Sequence, residues 1–247
     1  DGAALVINRA GPGFASVEDV QRRTGIGVGA LERLAEADAF AALGLDRRAA
    51  LWQIRALPGS DLPLFAEREK FMEPETRIVA MPPGREVVED YRAIGLSLRR
   101  HPVAFLRAGL TARGMVDAAG LAHMKDGRRV TLAGIVLVRQ KPGSAKGVMF
   151  ITIEDETGHA NLIVWPSVFE KQRRLILSAS MLGCRGVLQR EGEVMHVIVQ
   201  ELTDLSAMLR SVGSLGGDGD FPFRTGRGDE ARHGGGPDMR VATRDFR

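Results

Sequence analysis

Residues 130–138 (VTLAGIVLV), 148–154 (VMFITIE) and 159–165 (HANLIVW) decide how this chain folds. Each is a short run rich in β-branched, aliphatic or aromatic residues, and turn residues separate one run from the next. The first carries Ala133 and Gly134, where a strand can bend. Between the first and second lies Arg139–Gly147 (RQKPGSAKG), a basic loop punctuated by proline and glycine. Asp155-Glu156-Thr157-Gly158 turns the second run into the third. Pro166 opens a helix predicted to end near Leu177, and further strands are predicted at Leu182–Gln189 and Glu193–Val199. Three strands, a helix and two strands is the order of an OB-fold barrel, which takes oligonucleotides across its second and third strands.

Working outward, Glu201–Val212 reads as an amphipathic helix through Leu202, Leu205, Met208 and Leu209. Residues 213–247 hold nine glycines and few large apolar groups, which predicts disorder. Upstream, the prolines at 58, 63, 74, 82 and 83 mark a linker, with helical pattern returning over Arg85–Arg100. Before it, Ser16 suits an N-cap for Val17–Arg23, Gly25-Ile26-Gly27-Val28-Gly29 makes a tight turn, and Ala30–Ala37 resumes a helix. Asp46 can cap a further helix over Arg47–Leu57. Gly2–Arg9 resembles a helix cut off at its start. The chain is therefore read as α+β and multidomain. It comprises a helix-hairpin-helix region over 1–57 with its first hairpin truncated, a linker with helical segments over 58–127, a five-stranded OB-fold barrel with C-terminal helix over 128–212, and a disordered tail over 213–247.

Charge supports the barrel as the working part. The chain carries 34 basic and 31 acidic residues, and 128–212 alone holds eleven basic against eight acidic, which is the whole net excess. A basic barrel is the electrostatic footprint of phosphate contact. The lone Cys184 lies in an apolar strand pattern, which leaves no disulfide frame and fits a buried structural role in a reduced compartment. No apolar run approaches the ~20 residues that a bilayer span requires. The opening at Asp1, in mid-pattern and without Met, predicts the C-terminal piece of something longer.

Strand parity nominates a surface. If Met149, Ile151 and Ile153 face the core, Phe150, Thr152 and Glu154 face outward. The matching outward set on the next strand is His159, Asn161, Ile163 and Trp165. Phe150 and Trp165 can stack bases while Arg139, Lys141 and Lys146 meet phosphates. The other reading of both aromatics is that they cover the barrel against the helical part. Gly25, Gly27 and Gly29, with Arg47 and Arg48, form a second candidate contact, because helix–glycine hairpin–helix units can offer backbone N–H groups to a duplex phosphate. A purely structural hairpin explains the same residues equally well. Glu154-Asp155-Glu156 is the densest acidic group, but neighbours on a strand point to opposite faces and cannot easily converge on a metal. No catalytic residue, metal ligand or cofactor is assigned.

The stretches Val87–Arg107 (VVEDYRAIGLSLRRHPVAFLR), Leu132–Phe150 (LAGIVLVRQKPGSAKGVMF) and Ile151–Trp165 (ITIEDETGHANLIVW) resemble the C-terminal region of bacterial C-family DNA polymerases. Within that family they resemble the error-prone, damage-associated branch of polymerase III alpha-like subunits. RTGIGVGALERLAEADAF, LGLDRRAALWQI and the final Arg244-Asp245-Phe246-Arg247 are similar to the same proteins. The resemblance implies a cytoplasmic DNA-directed DNA polymerase acting in damage tolerance, with Mg²⁺ at a catalytic palm that lies upstream of residue 1. It implies single-stranded template and primer–template duplex as partners, together with accessory mutagenesis proteins. Asp61-Leu62-Pro63-Leu64-Phe65 is similar to a sliding-clamp peptide, although Asp61 stands where that peptide has Gln. Leu64 and Phe65 are accordingly read as a docking anchor, on the polymerase's own body or on the clamp. The alternative role for the barrel is a docking platform for those accessory factors.

Overall fold

The structure is a computed structural model and describes residues 1–9, 13–57, 78–192, 194–214 and 244–246. It divides into two compact units, Asp1–Met81 and Pro82–Arg247.

In the first unit the local signals act as read. Helix α1 is Gly2–Asn8, α2 Val17–Thr24, α3 Val28–Glu36 and α4 Arg47–Ala56. The Ser16 hydroxyl accepts from the Asp19 N–H at 3.1 Å, and Asp46 accepts from the Ala49 N–H at 2.7 Å, so each satisfies a backbone donor with no intrahelical partner. Gly25 ends α2 at φ +66°, a conformation that favours glycine. Ile26, between the two turn glycines, drops into a core with Val17, Val20, Leu31, Ala35, Phe40 and Ile54. Burying that one side chain is what holds the two helices together at the hairpin.

In the second unit, helix α5 is Pro83–Ile94 and α6 Arg107–Ala112. The barrel strands are β1 Arg129–Gln140, β2 Met149–Asp155, β3 Gly158–Val164, β4 Met181–Glu191 and β5 Val194–Asp204, with α7 (Pro166–Ser178) between β3 and β4. The sheet runs β2-β3-β5-β4-β1 and closes through a β1–β2 pairing, with only β3–β5 parallel inside the barrel. This is the OB-fold barrel that the sequence order predicts. Its interior holds Leu132, Ile151, Leu162, Leu182, Leu188 and Val197, with Phe169 and Ile176 of α7 plugging one end. Cys184 is buried among them, and that burial pushes its thiol up to about 12.

Three expectations need correction. The segment 82–127 is not a linker outside the barrel domain. Val88, Val103, Leu106 and Leu110 pack with Ala133, Ile135 and Met181 on the outer side of β1 and β4. The predicted helix over Glu201–Val212 is a strand as far as Asp204, and helix α8 covers only Ser206–Arg210. A bulge explains the misreading. Arg185 pairs with Glu201 but Gly186 pairs with Val199, so Gln200 is extra. Inward residues then fall at 197, 199 and 202, and the three-residue step mimics a helical period. The strands approach so closely there that a Cβ on Gly186 would lie 2.3 Å from the Ile198 carbonyl oxygen. Finally, part of the tail is ordered against the barrel. Strand β6 (Arg244–Phe246) runs parallel to Val138–Gln140, the end of β1 beyond its pairing with β4.

Beyond its bulge, β5 has no strand partner on the β3 side. Gln172 of α7 takes that place. Its amide donates to the Leu202 carbonyl at 2.7 Å and accepts from the Leu202 N–H at 2.9 Å, and Gln172 itself departs from helical geometry to do so.

Candidate nucleic-acid interface

Because the ladder fixes which residues stand side by side, the outer face can be laid out row by row. Gln140, Phe150, Ile163, Ile198 and Val187 align across β1, β2, β3, β5 and β4. The next row is Val138, Thr152, Asn161, His196 and Gln189. Met149, Ile151 and Ile153 are buried, whereas Phe150, Thr152 and Glu154 are half-buried, so the alternation on β2 runs as parity requires. His159 is exposed opposite Glu154, and Asn161 accepts from the Thr152 hydroxyl at 3.0 Å. Trp165 stands 50% exposed at the N-cap of α7, which sets it on the same rim as the loop between β1 and β2.

Among the described residues that loop presents two cations, not three. Lys146 is exposed at φ +48° and has no ion-pair partner among the described residues. The Lys141 ammonium sits 4.2 Å from the centroid of Phe169, and the Arg173 guanidinium of α7 lies 5.7 Å from the same ring. Neither cation meets a carboxylate among the described residues. Arg173 joins the site by packing that sequence spacing does not reveal, although the basic run Lys171, Arg173, Arg174 was its visible trace.

Arg139 belongs to the interior and is withdrawn from the phosphate contacts. A bulge in β1 sets Val136 opposite Ile153 but Val138 opposite Thr152, leaving Leu137 extra and turning Arg139 inward opposite Ile151. The side chain is 6% exposed, and its guanidinium donates to the carbonyls of Ile176, at 2.7 Å, and of Ala179. A cation there satisfies orphan carbonyls at the negative end of α7.

The acidic turn is structural. Asp155 is buried and accepts from the Thr157 and Gly158 N–H groups at 2.8 and 3.2 Å, from the Thr157 hydroxyl at 2.6 Å and from the Ala118 N–H at 2.8 Å. Arg107 of α6 donates to Asp155 at 2.9 Å and grips both Glu156 oxygens at 2.5 and 3.0 Å. The Glu156 bond is the largest influence raising the Arg107 pKa. Glu154 faces His101, with Nε2 3.9 Å from its carboxylate. Among the described residues no group of His, Cys, Asp or Glu is arranged to hold a metal ion.

In the helical unit, Gly27 is the N-cap of α3 and Gly29 lies in its first turn. A Cβ at either would meet nothing within 4 Å, so internal packing does not require glycine there. Arg47 is 2% exposed and is removed from the proposed duplex contacts, because a buried guanidinium cannot reach a backbone outside. Arg48 is half-buried and donates to the Val79 carbonyl at 3.0 Å. Leu64 and Phe65 lie outside the described residues. Among the described residues no helix is long and apolar enough to cross a membrane.

The barrel and its flat, half-apolar face define an OB-fold nucleic-acid-binding module, and residues 130–205 match the family model described as an OB-fold nucleic acid binding domain. Along nearly its whole length the chain is also similar to error-prone DNA polymerases. It is 54% identical to Error-prone DNA polymerase 2 of Agrobacterium fabrum over 97% of this chain and 23% of that one. It is 50% identical to Error-prone DNA polymerase 3 of the same organism over 100% of this chain and 24% of that one. With Error-prone DNA polymerase 2 of Rhizobium meliloti it shares 52% identity over 95% of this chain and 22% of that one. The chain thus spans about a quarter of the length of these relatives, which are the proteins that the quoted motifs resemble. Among solved structures, asparaginyl-tRNA synthetase from Pyrococcus horikoshii aligns with 37% of this chain and 22% of its own at 22% identity and a TM-score of 0.31, too low to add to the strand order itself.

Proposed function

We propose that this chain is the DNA-handling, C-terminal module of an error-prone polymerase that acts in damage tolerance. The barrel holds single-stranded template across β2 and β3, and the α2–α3 hairpin lies along duplex backbone. The observation that carries the reading is the juxtaposition of outward Phe150 with the cations Lys141, Lys146 and Arg173 on one rim of the barrel. Base stacking on the aromatic surface is tolerant of sequence, and phosphate contact supplies affinity that depends on salt. The Mg²⁺ that the resemblance implies finds no ligand set among the described residues, and Asp155 and Glu156 are engaged by Arg107. Synthesis is therefore assigned to parts of the polymerase other than these, and the 247-residue chain should extend no primer in the presence of Mg²⁺.

Titrating a single-stranded oligonucleotide at several salt concentrations tests the proposal. Log affinity should fall against log salt by about 0.7 per neutralised phosphate. Phe150→Ala should cost ~1–3 kcal/mol of affinity while leaving that slope unchanged, since stacking releases no counterions. Replacing Lys141 and Lys146 together should flatten the slope. Affinity indifferent to all three positions would overturn the assignment.

One observation favours a second reading, in which the barrel docks accessory mutagenesis proteins or the clamp. Its β1 edge at Val138–Gln140 accepts an extended peptide, β6, by strand addition.

A further inference from the structure

Where β3 and β5 run side by side, only Asn161–Ile163 pair with His196–Ile198. Below that short ladder the strands part and leave a cavity of about 190 Å³ that opens to the outer face. Its floor is apolar, with Leu121, Leu188 and Val197. Its rim is polar, with His159, Asn161 and His196.

Two of the rim groups are left with hydrogen bonds to make. The His196 Nδ1 is buried and has no partner among the described residues. The Asn161 carbonyl oxygen is occupied by the Thr152 hydroxyl, which directs its NH₂ away from that bond. A buried ring nitrogen without a partner is costly, and a ligand that satisfies it recovers that cost. An apolar floor beneath a donor and a ring nitrogen suits a flat heterocycle entering edge-on. Asn161 and His196 also stand one row, about 7 Å along the strands, from Phe150 and Ile163. A strand laid over the stacking row therefore passes the mouth of the cavity.

We propose that this seam between β3 and β5 is a pocket for one unstacked nucleobase, whose edge is read by Asn161 and His196. The inference rests on the single-strand reading above and deepens it, because it adds a site of base preference to a surface that otherwise stacks without discrimination.

The test uses the 247-residue chain with 12-mers of dT, dC and dA and with a 12-mer of abasic sites carrying the same phosphates. The wild-type chain should prefer one homopolymer. His196→Leu and Asn161→Ala should each lower affinity for that homopolymer about fivefold or more, the scale of a lost base-edge contact. Both should leave the abasic strand and the salt slope untouched, and His196→Gln should recover part of the preference. Equal losses on the abasic strand, or unchanged ratios among the homopolymers, would overturn the pocket. If Phe150→Ala weakens binding while His196→Leu is inert, the pocket falls and the single-strand reading stands. A wild-type chain that binds no strand at all sinks both.

Discussion

Arg139 shows how far a single residue's role can depend on its neighbour's geometry. In an unbroken strand it would share the outer parity of Phe150's neighbours, and as a loop residue it would be a natural phosphate contact. The extra Leu137 reverses that parity, and the guanidinium instead closes the open carbonyls of α7. Arg139→Ala should therefore destabilise the chain by about 1–3 kcal/mol, the cost of leaving buried acceptors unpaired. Urea unfolding measures that loss, and the salt slope for a single strand should not change. A variant as stable as wild type but with a flatter slope would return Arg139 to the binding surface. Phe150, in contrast, was legible from parity alone, because β2 carries no irregularity between Met149 and Asp155. Arg173 was not, since its place beside Lys141 depends on how α7 seats Phe169 into the barrel end.

At the scale of elements, the strand order was readable because each run is short, β-branched and separated from the next by turn residues. The end of β5 was not readable. A bulge inserts one residue without changing composition, and Leu202, Leu205 and Leu209 then fall at spacings a helix would also produce. The bulge has a physical requirement at Gly186, where β5 backbone occupies the space of a Cβ. Gly186→Ala should lower stability by about 1–3 kcal/mol or more, as overpacking against backbone does. Differential melting against wild type checks it, and an unchanged midpoint would mean that the two strands stand further apart than described. The α2–α3 hairpin was readable down to its caps, Ser16 and Gly25. Its partner was not, because open space above Gly27 and Gly29 is compatible with a phosphate backbone without requiring one.

For the whole molecule, the division at Met81/Pro82 assigns α5 and α6 to the barrel, where the prolines and the broken periodicity over 58–127 had suggested a spacer. Composition registers punctuation. It does not register that Val88, Val103 and Leu110 meet the outer side of β1. The barrel closes through β1–β2 and β1–β4 without help from β6. A chain ending at Ser214 should therefore melt within about 4 °C of the full chain, the shift that corresponds to roughly 1 kcal/mol in a protein of this size. A much larger fall would show that the terminal strand is part of the barrel's stability.

The central claim is that one face of the barrel, spanning β2, β3 and the 141–147 loop, receives a single strand. Backbone amide chemical shifts of the 247-residue chain, followed as a single-stranded 12-mer is added, test it most directly. The account predicts that the largest changes fall on Lys141, Lys146, Phe150, Asn161, Ile163 and Trp165, with α5 and the outer side of β4 unmoved. Changes concentrated on α5, α6 and α8, with the β2–β3 face silent, would contradict it.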